Sequence, residues 1–169
     1  MFIVVISAAL AGVLQVFVQA TSGSADPQIR RQALAVAESL MQEVKLMAFT
    51  YCDPDDDNVE VADSSAACAT LAESSGPESG ETRYSAPQFD NVNDYDGFAM
   101  SGGLLDITHT AIPGLSGYSA RIGVAAAALG TISAASGEAL LITVTVNGPG
   151  DTQVVLKGYR SRYAPNAAL

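Results

Sequence analysis

Residues 25–44 read ADPQIRRQALAVAESLMQEV, and this stretch decides the fold. Asp26 followed by Pro27 is a helix start: Asp26 can cap, and Pro27 suits a first helical position because its missing N–H would be unpaired there. Ile29, Ala33, Val36, Leu40 and Val44 then recur at spacings of three and four, with Gln32, Gln42, Glu43 and Lys45 off that stripe. The pattern predicts an amphipathic helix from Pro27 to about Met47. One apolar stripe must pack on something, and the natural partner is a sheet supplied by the rest of the chain.

Downstream, from Leu104 onward, the period changes to two. Leu104–Thr108, Tyr118–Ala126, Ala139–Val146 and Thr152–Tyr159 read as strands, the cleanest being Ile142, Val144 and Val146 alternating with Thr143 and Thr145. Asn147-Gly-Pro-Gly-Asp151 turns the chain between the last two. The run from Val124 to Leu129 fits a strand end or a short helix equally. Helix first and antiparallel meander second predicts an α+β class. Between them, residues 49–103 are dominated by turn chemistry such as Glu73-Ser-Ser-Gly-Pro-Glu78 and Ser101-Gly-Gly103. A loop region this long is usually functional or pinned.

Upstream, Phe2 to Ala20 reads FIVVISAALAGVLQVFVQA, without a charge. A helix of about 20 such residues matches the 30 Å hydrocarbon core. Ser7 with Ala11, and Ala8 with Gly12, are small pairs that permit close helix approach in an apolar medium. The segment reads as a cleaved secretory signal, a plain membrane anchor, or the apolar half of a filament-forming helix.

The chain has 169 residues, a net charge of −10 and a hydrophobic fraction of 49%. The two properties are segregated, because acid concentrates between Cys52 and Asp96, where Arg83 is the only basic residue. An acidic chain with no basic, aromatic-interleaved patch disfavours nucleic-acid partners. Cys52 and Cys68, an isolated pair flanking a polar loop, read as a disulfide in an oxidising compartment, with free thiols as the alternative. Zinc would need two more ligands, and the only histidine is His109. Arg30 and Arg31 follow the apolar run, which by the positive-inside rule opposes an extracytoplasmic head. Basic residues upstream of a shortened start would remove that conflict.

The order of segments carries a resemblance: an apolar run, ADPQIRRQALAVAESLMQEV, FTYCDPDD (49–56), FDNVNDYDGF (89–98), LLITVTV (140–146) and GYRSRYAPN (158–166). It resembles the type IV pilin-like superfamily, most of all the minor pilin D family of mannose-sensitive haemagglutinin (MSHA) pili, over nearly the whole chain. The resemblance implies a pilin-like fold, with residues 1–25 as the hydrophobic helix half and 26–169 as an extracytoplasmic head. Within the head, 26–48 is the amphipathic helix half, 49–103 the acidic loop region and 104–169 the sheet. It also implies a non-enzymatic minor pilin that primes or decorates a filament and serves attachment or motility. The implied path runs from the bacterial inner membrane, head in the periplasm, to the extracellular pilus. Its partners would be other pilin subunits, the inner-membrane assembly platform and, before assembly, the lipid bilayer. Phe2, Ile3, Val4, Val5, Ile6, Ala8, Ala11, Gly12 and Leu14 would form the membrane and assembly helix. The family's basic leader, cleavage site and following glutamate have no counterpart here, so the resemblance implies a shortened start and no processing residue carries over. A type II secretion pseudopilin shares the architecture. A secreted calcium- or ligand-binding adhesion domain is the alternative from another class.

No cofactor is expected, and calcium is the one metal with candidates. Asp53, Asp55 and Asp57 alternate like the opening of a calcium loop, and Asp90, Asn93, Asp94 and Asp96 form a second oxygen-rich group. The competing readings are a solvated acidic loop and a set of loop-stabilising caps, with Phe89, Tyr95 and Phe98 anchoring the second group. His109 stands alone, no G-x-S-x-G is present, and Gly102-Gly103 lacks the Lys-Ser/Thr of a phosphate loop. Arg160 and Arg162 form a basic edge expected to face the acidic loop of a neighbouring subunit.

Overall fold

The computed structural model describes Leu10 and residues 27–162. The hydrophobic segment, including Phe2, Ile3, Val4, Val5, Ile6, Ala8, Ala11, Gly12 and Leu14, lies outside the described residues, as does the tail from Tyr163. Among the described residues no helix is long and apolar enough to cross a membrane.

Helix α1 covers residues 27–46, ending one residue short of the expected Met47. Its buried face comprises Ala33, Ala37, Leu40, Met41 and Val44, with Ile29 and Val36 half-buried at its margin. The stripe is therefore wider than the expected one, because Ala37 and Met41 join it. Arg30, Arg31, Glu38, Gln42 and Lys45 face outward.

α1 packs on a four-stranded antiparallel sheet of order β1-β2-β3-β4, with β1 Ala99–Met100, β2 Ser119–Ala126, β3 Ala139–Asn147 and β4 Gln153–Ser161. Register follows the period-two pattern, since Ile122 pairs Val144, and Val144 pairs Leu156. Ile122, Val124, Ile142, Val144 and Val146 thus share the face that meets α1. Full burial of each such side chain stabilises the fold by about 1.5–3 kcal/mol. Gly158 on β4 marks a close approach to the helix: a Cβ there would stand 3.0 Å from the Lys45 side chain and from Met41 Sδ. The fold is α+β, a helix on an antiparallel sheet.

The segment Leu104–Thr108 is not a strand. Leu105 makes a single bridge to Ala111, and the chain then turns. Asp106 Oδ1 accepts from the amides of Thr108 and Thr110, both at 2.9 Å, and His109 sits in the left-handed region at φ 64°. The capping carboxylate overrides a weak alternation. The fourth strand is instead Ala99–Met100, whose two residues pair with Arg121 and Ala120 of β2. The run after Val124 resolves as a strand end, since β2 continues to Ala126.

Candidate functional site

Just past α1, the chain forms a small satellite core of Cys52, Val59 and Ala62, backed by Tyr51 and Ala67. Cys52 and Cys68 are joined by a disulfide. Inside the loop it closes, Asp56 is buried and turned inward. Its Oδ1 accepts from the amides of Asn58 and Ala69, and its Oδ2 from those of Thr70 and Leu71 at 2.7 Å each. Four backbone donors converging on one carboxylate hold its pKa far below the usual range, the Leu71 and Thr70 amides contributing most. Asp56 thereby fixes residues 69–71 and orients the chain at Asp53 and Asp55.

The second acidic loop is held by rings. Phe89, Tyr95 and Phe98 meet edge to face, with Phe89 and Tyr95 centroids 5.0 Å apart. The Tyr95 hydroxyl donates to Glu43 Oε1 on α1 at 3.0 Å. Glu43 also receives Arg83 through both carboxylate oxygens, at 2.6 and 2.7 Å. These contacts seat Asp94, fully buried, whose Oδ2 accepts from the amides of Asp90 and Asn91.

The two acidic groups that look separate in the sequence meet in space, with three glutamates from the segment between them. Carboxylate oxygens lie within 4.8 Å of one another in three overlapping triplets: Asp53, Asp55 and Asp90; Asp53, Glu78 and Glu81; Glu73, Glu78 and Asp94. None of these residues takes part in the ion pairs found among the described residues, Arg83–Glu43 and Arg162–Glu138. Both oxygens of Glu73, Oε1 of Glu78 and Oδ1 of Asp94 are buried without a hydrogen-bond partner. Burial, then repulsion from Asp94 and Glu78, pushes Glu73 up to about 9. Burial is also the main cause for Asp90, Asp94 and Glu81, each raised to about 7; repulsion from Asp53 is next at Asp90 and from Asp94 at Glu81, while two backbone amides partly offset the rise at Asp94.

Of the sequence candidates, the carboxylates of Asp53, Asp55, Asp90 and Asp94 belong to this cluster, and those of Asp57 and Asp96 do not; Asn93 opens the short 3-10 turn Asn93–Tyr95. Asp57 is exposed. Asp96 is committed elsewhere, accepting from the Val124 amide at 2.9 Å and from the Ser75 hydroxyl at 2.8 Å. Glu73, Glu78 and Glu81 were missed by the motif reading. The available signal was charge: Arg83 is the lone base between Cys52 and Asp96, too few to counter the acids of that stretch, and the structure spends it on Glu43.

The basic edge turns inward. The Arg162 guanidinium lies over the rings of Phe49 and Tyr51, at 3.9 and 4.2 Å, and donates to the carbonyls of Phe49 and Thr50. Arg160 reaches the Met47 carbonyl at 3.4 Å. Both arginines therefore engage the backbone just beyond α1, where carbonyls lose their helical partners. His109 is exposed and its ring lies against Tyr84, centroids 4.5 Å apart. A cleft of about 280 Å³ beside Val36, Leu104 and Ile112 contains one charged pair, Glu43 and Arg83, already locked together. No protein-family model, no curated protein and no solved structure matches this chain.

Proposed function

We propose that the protein is a minor pilin, a structural and assembly subunit of a type IV, MSHA-like filament. The observation that carries the reading is the one-sided helix. α1 buries its apolar stripe on the antiparallel sheet, and in sequence it follows the uncharged run Phe2–Ala20. An amphipathic half clasped by a head and an apolar half all round suits a chain stored in a bilayer and then packed against its own kind in a filament. In this reading the head is extracytoplasmic, first periplasmic and then on the extracellular pilus, in keeping with the Cys52–Cys68 disulfide. Its partners are other pilins and the inner-membrane assembly platform, and its role is filament initiation, attachment or motility without catalysis. The full engagement of Glu43 with Arg83 and Tyr95 supports a clamp rather than an acid–base pair.

The test is expression from its own locus, followed by shearing and sedimentation of surface filaments and sequencing of the mature N-terminus. The protein is expected in the sheared filament fraction, and Val5→Glu is expected to remove it while the head stays folded. A freely soluble product beginning near Asp26 would overturn the reading in favour of a secreted binding domain, which the carboxylate cluster favours as the second reading.

A further inference from the structure

The loops between α1 and β1 bury oxygens that have nothing to bond. Asp94 is 0% exposed, and its Oδ1 is without a partner. The same holds for both oxygens of Glu73 and for Oε1 of Glu78. These residues form the innermost triplet, and the triplets chain outward through Asp53 to Asp90 and the exposed Asp55. A carboxylate oxygen buried without a partner is costly, and a buried carboxylate that ionises is paired or coordinates a metal. Among the described residues no ion pair reaches these carboxylates: Arg83 is bound to Glu43, and Arg162, whose charge is felt at Glu73, is bound to Glu138, Phe49 and Thr50.

We infer that Glu73, Glu78 and Asp94 hold a calcium ion, and that Asp53, Asp55 and Asp90 extend the site to the surface. The donor set is oxygen alone, which suits a hard cation and not zinc or copper. The three ligand oxygens lie within 4.8 Å of one another, so one cation with metal–oxygen bonds of about 2.3–2.6 Å can reach all three. Irregular loops rich in carboxylates suit calcium's variable coordination better than the strict octahedron of magnesium. The ligands come from separate segments, around 53–55, 73–81 and 90–94. The ion held by Glu73, Glu78 and Asp94 ties the segment after the disulfide-closed loop to the ring-anchored loop, and Asp53, which shares a triplet with Glu78, brings the disulfide-closed loop alongside. The site does not depend on filament assembly, and it would serve a secreted domain equally.

The full chain in detergent, stripped with EGTA, is titrated calorimetrically with calcium chloride and separately with magnesium chloride at about 0.15 M salt. Its melting is followed by circular dichroism. Saturable calcium binding is expected, with magnesium at least tenfold weaker. Calcium at about a hundred times its Kd is expected to raise Tm by roughly 5–10 °C. Glu73→Gln keeps the shape and removes the charge. It is expected to weaken calcium binding at least tenfold while the metal-free variant melts no lower than wild type, which separates lost ligation from lost folding. Asp57→Asn is expected to bind as wild type. The inference is overturned if millimolar calcium gives no saturable heat, if calcium and magnesium act alike, or if Glu73→Gln binds calcium unchanged.

Discussion

Asp56 and Glu73 lie in the same acidic loop region, yet they solve burial in opposite ways. Asp56 has four backbone amides aimed at it, so its charge is solvated by the protein and its proton is easily lost. Glu73 has no donor on either oxygen and has carboxylates for neighbours, so it retains its proton to about 9. The difference shows that burial alone does not set the state of a carboxylate. What faces it does: amides convert Asp56 into a structural anchor, and burial beside fellow acids holds Glu73 in its neutral form.

The largest effect is expected at the anchor. Asp56→Ala leaves backbone amides of residues 58 and 69–71 without their acceptor, and is expected to lower Tm by roughly 10 °C in a circular dichroism melt. Asp56→Asn, which still accepts through one oxygen, is expected to fall between that variant and wild type. Reduction of Cys52–Cys68, or Cys68→Ala, frees the same loop from its other restraint and is expected to cost about 3 kcal/mol by urea unfolding.

The two environments also predict opposite pH responses. The depressed pKa of Asp56 gives stability that is present above the unfolded value near 3.9 and is lost as pH falls toward its folded value. Glu73, Glu81, Asp90 and Asp94 have raised values, so their contribution is full below the unfolded range near pH 4 and is lost as pH rises through about 7 to 9. The EGTA-treated protein is therefore expected to be most stable in mildly acidic solution and to lose Tm between pH 5 and 8. Glu73→Gln is expected to flatten that loss, whereas Asp56→Asn is expected to flatten only the acid limb. The smallest effect is expected at Asp57, exposed and outside both arrangements. Asp57→Asn should leave Tm unchanged at every pH, and a shift there would mean that general loop charge governs the response.

Elements with a strong period were legible in the sequence. The Ile29–Val44 stripe located α1, and the alternation around Ile142, Val144 and Val146 located β3, because spacing alone places those side chains on one face. Leu104–Thr108 misled because five residues carry too little periodicity to outweigh a capping Asp106. Ala99–Met100 was invisible, since a two-residue edge strand exists only through its pairing with β2. In the acidic region, an alternating reading selected Asp53, Asp55 and Asp57 and passed over Asp56, the carboxylate on which four backbone amides converge. Asp53, Asp55, Asp90 and Asp94 were found but as two separate groups. Their union with Glu73, Glu78 and Glu81 depends on loops closing onto one another, which local pattern does not encode. The Cys52–Cys68 pairing was legible because the chain offers each cysteine one partner.

The arginine clasp at the end of β4 has a mechanical consequence. Arg160 reaches across 113 residues of sequence to the Met47 carbonyl, and Arg162, between two rings, binds the backbone just beyond it. The foot of the helix is thus fastened to the last strand of the sheet at the joint where α1 gives way to loop. Tension along the helix axis does not peel α1 off one contact at a time. It loads the clasp and the helix–sheet interface together, as a lap joint carries shear, and passes into β4 and the strands hydrogen-bonded beside it.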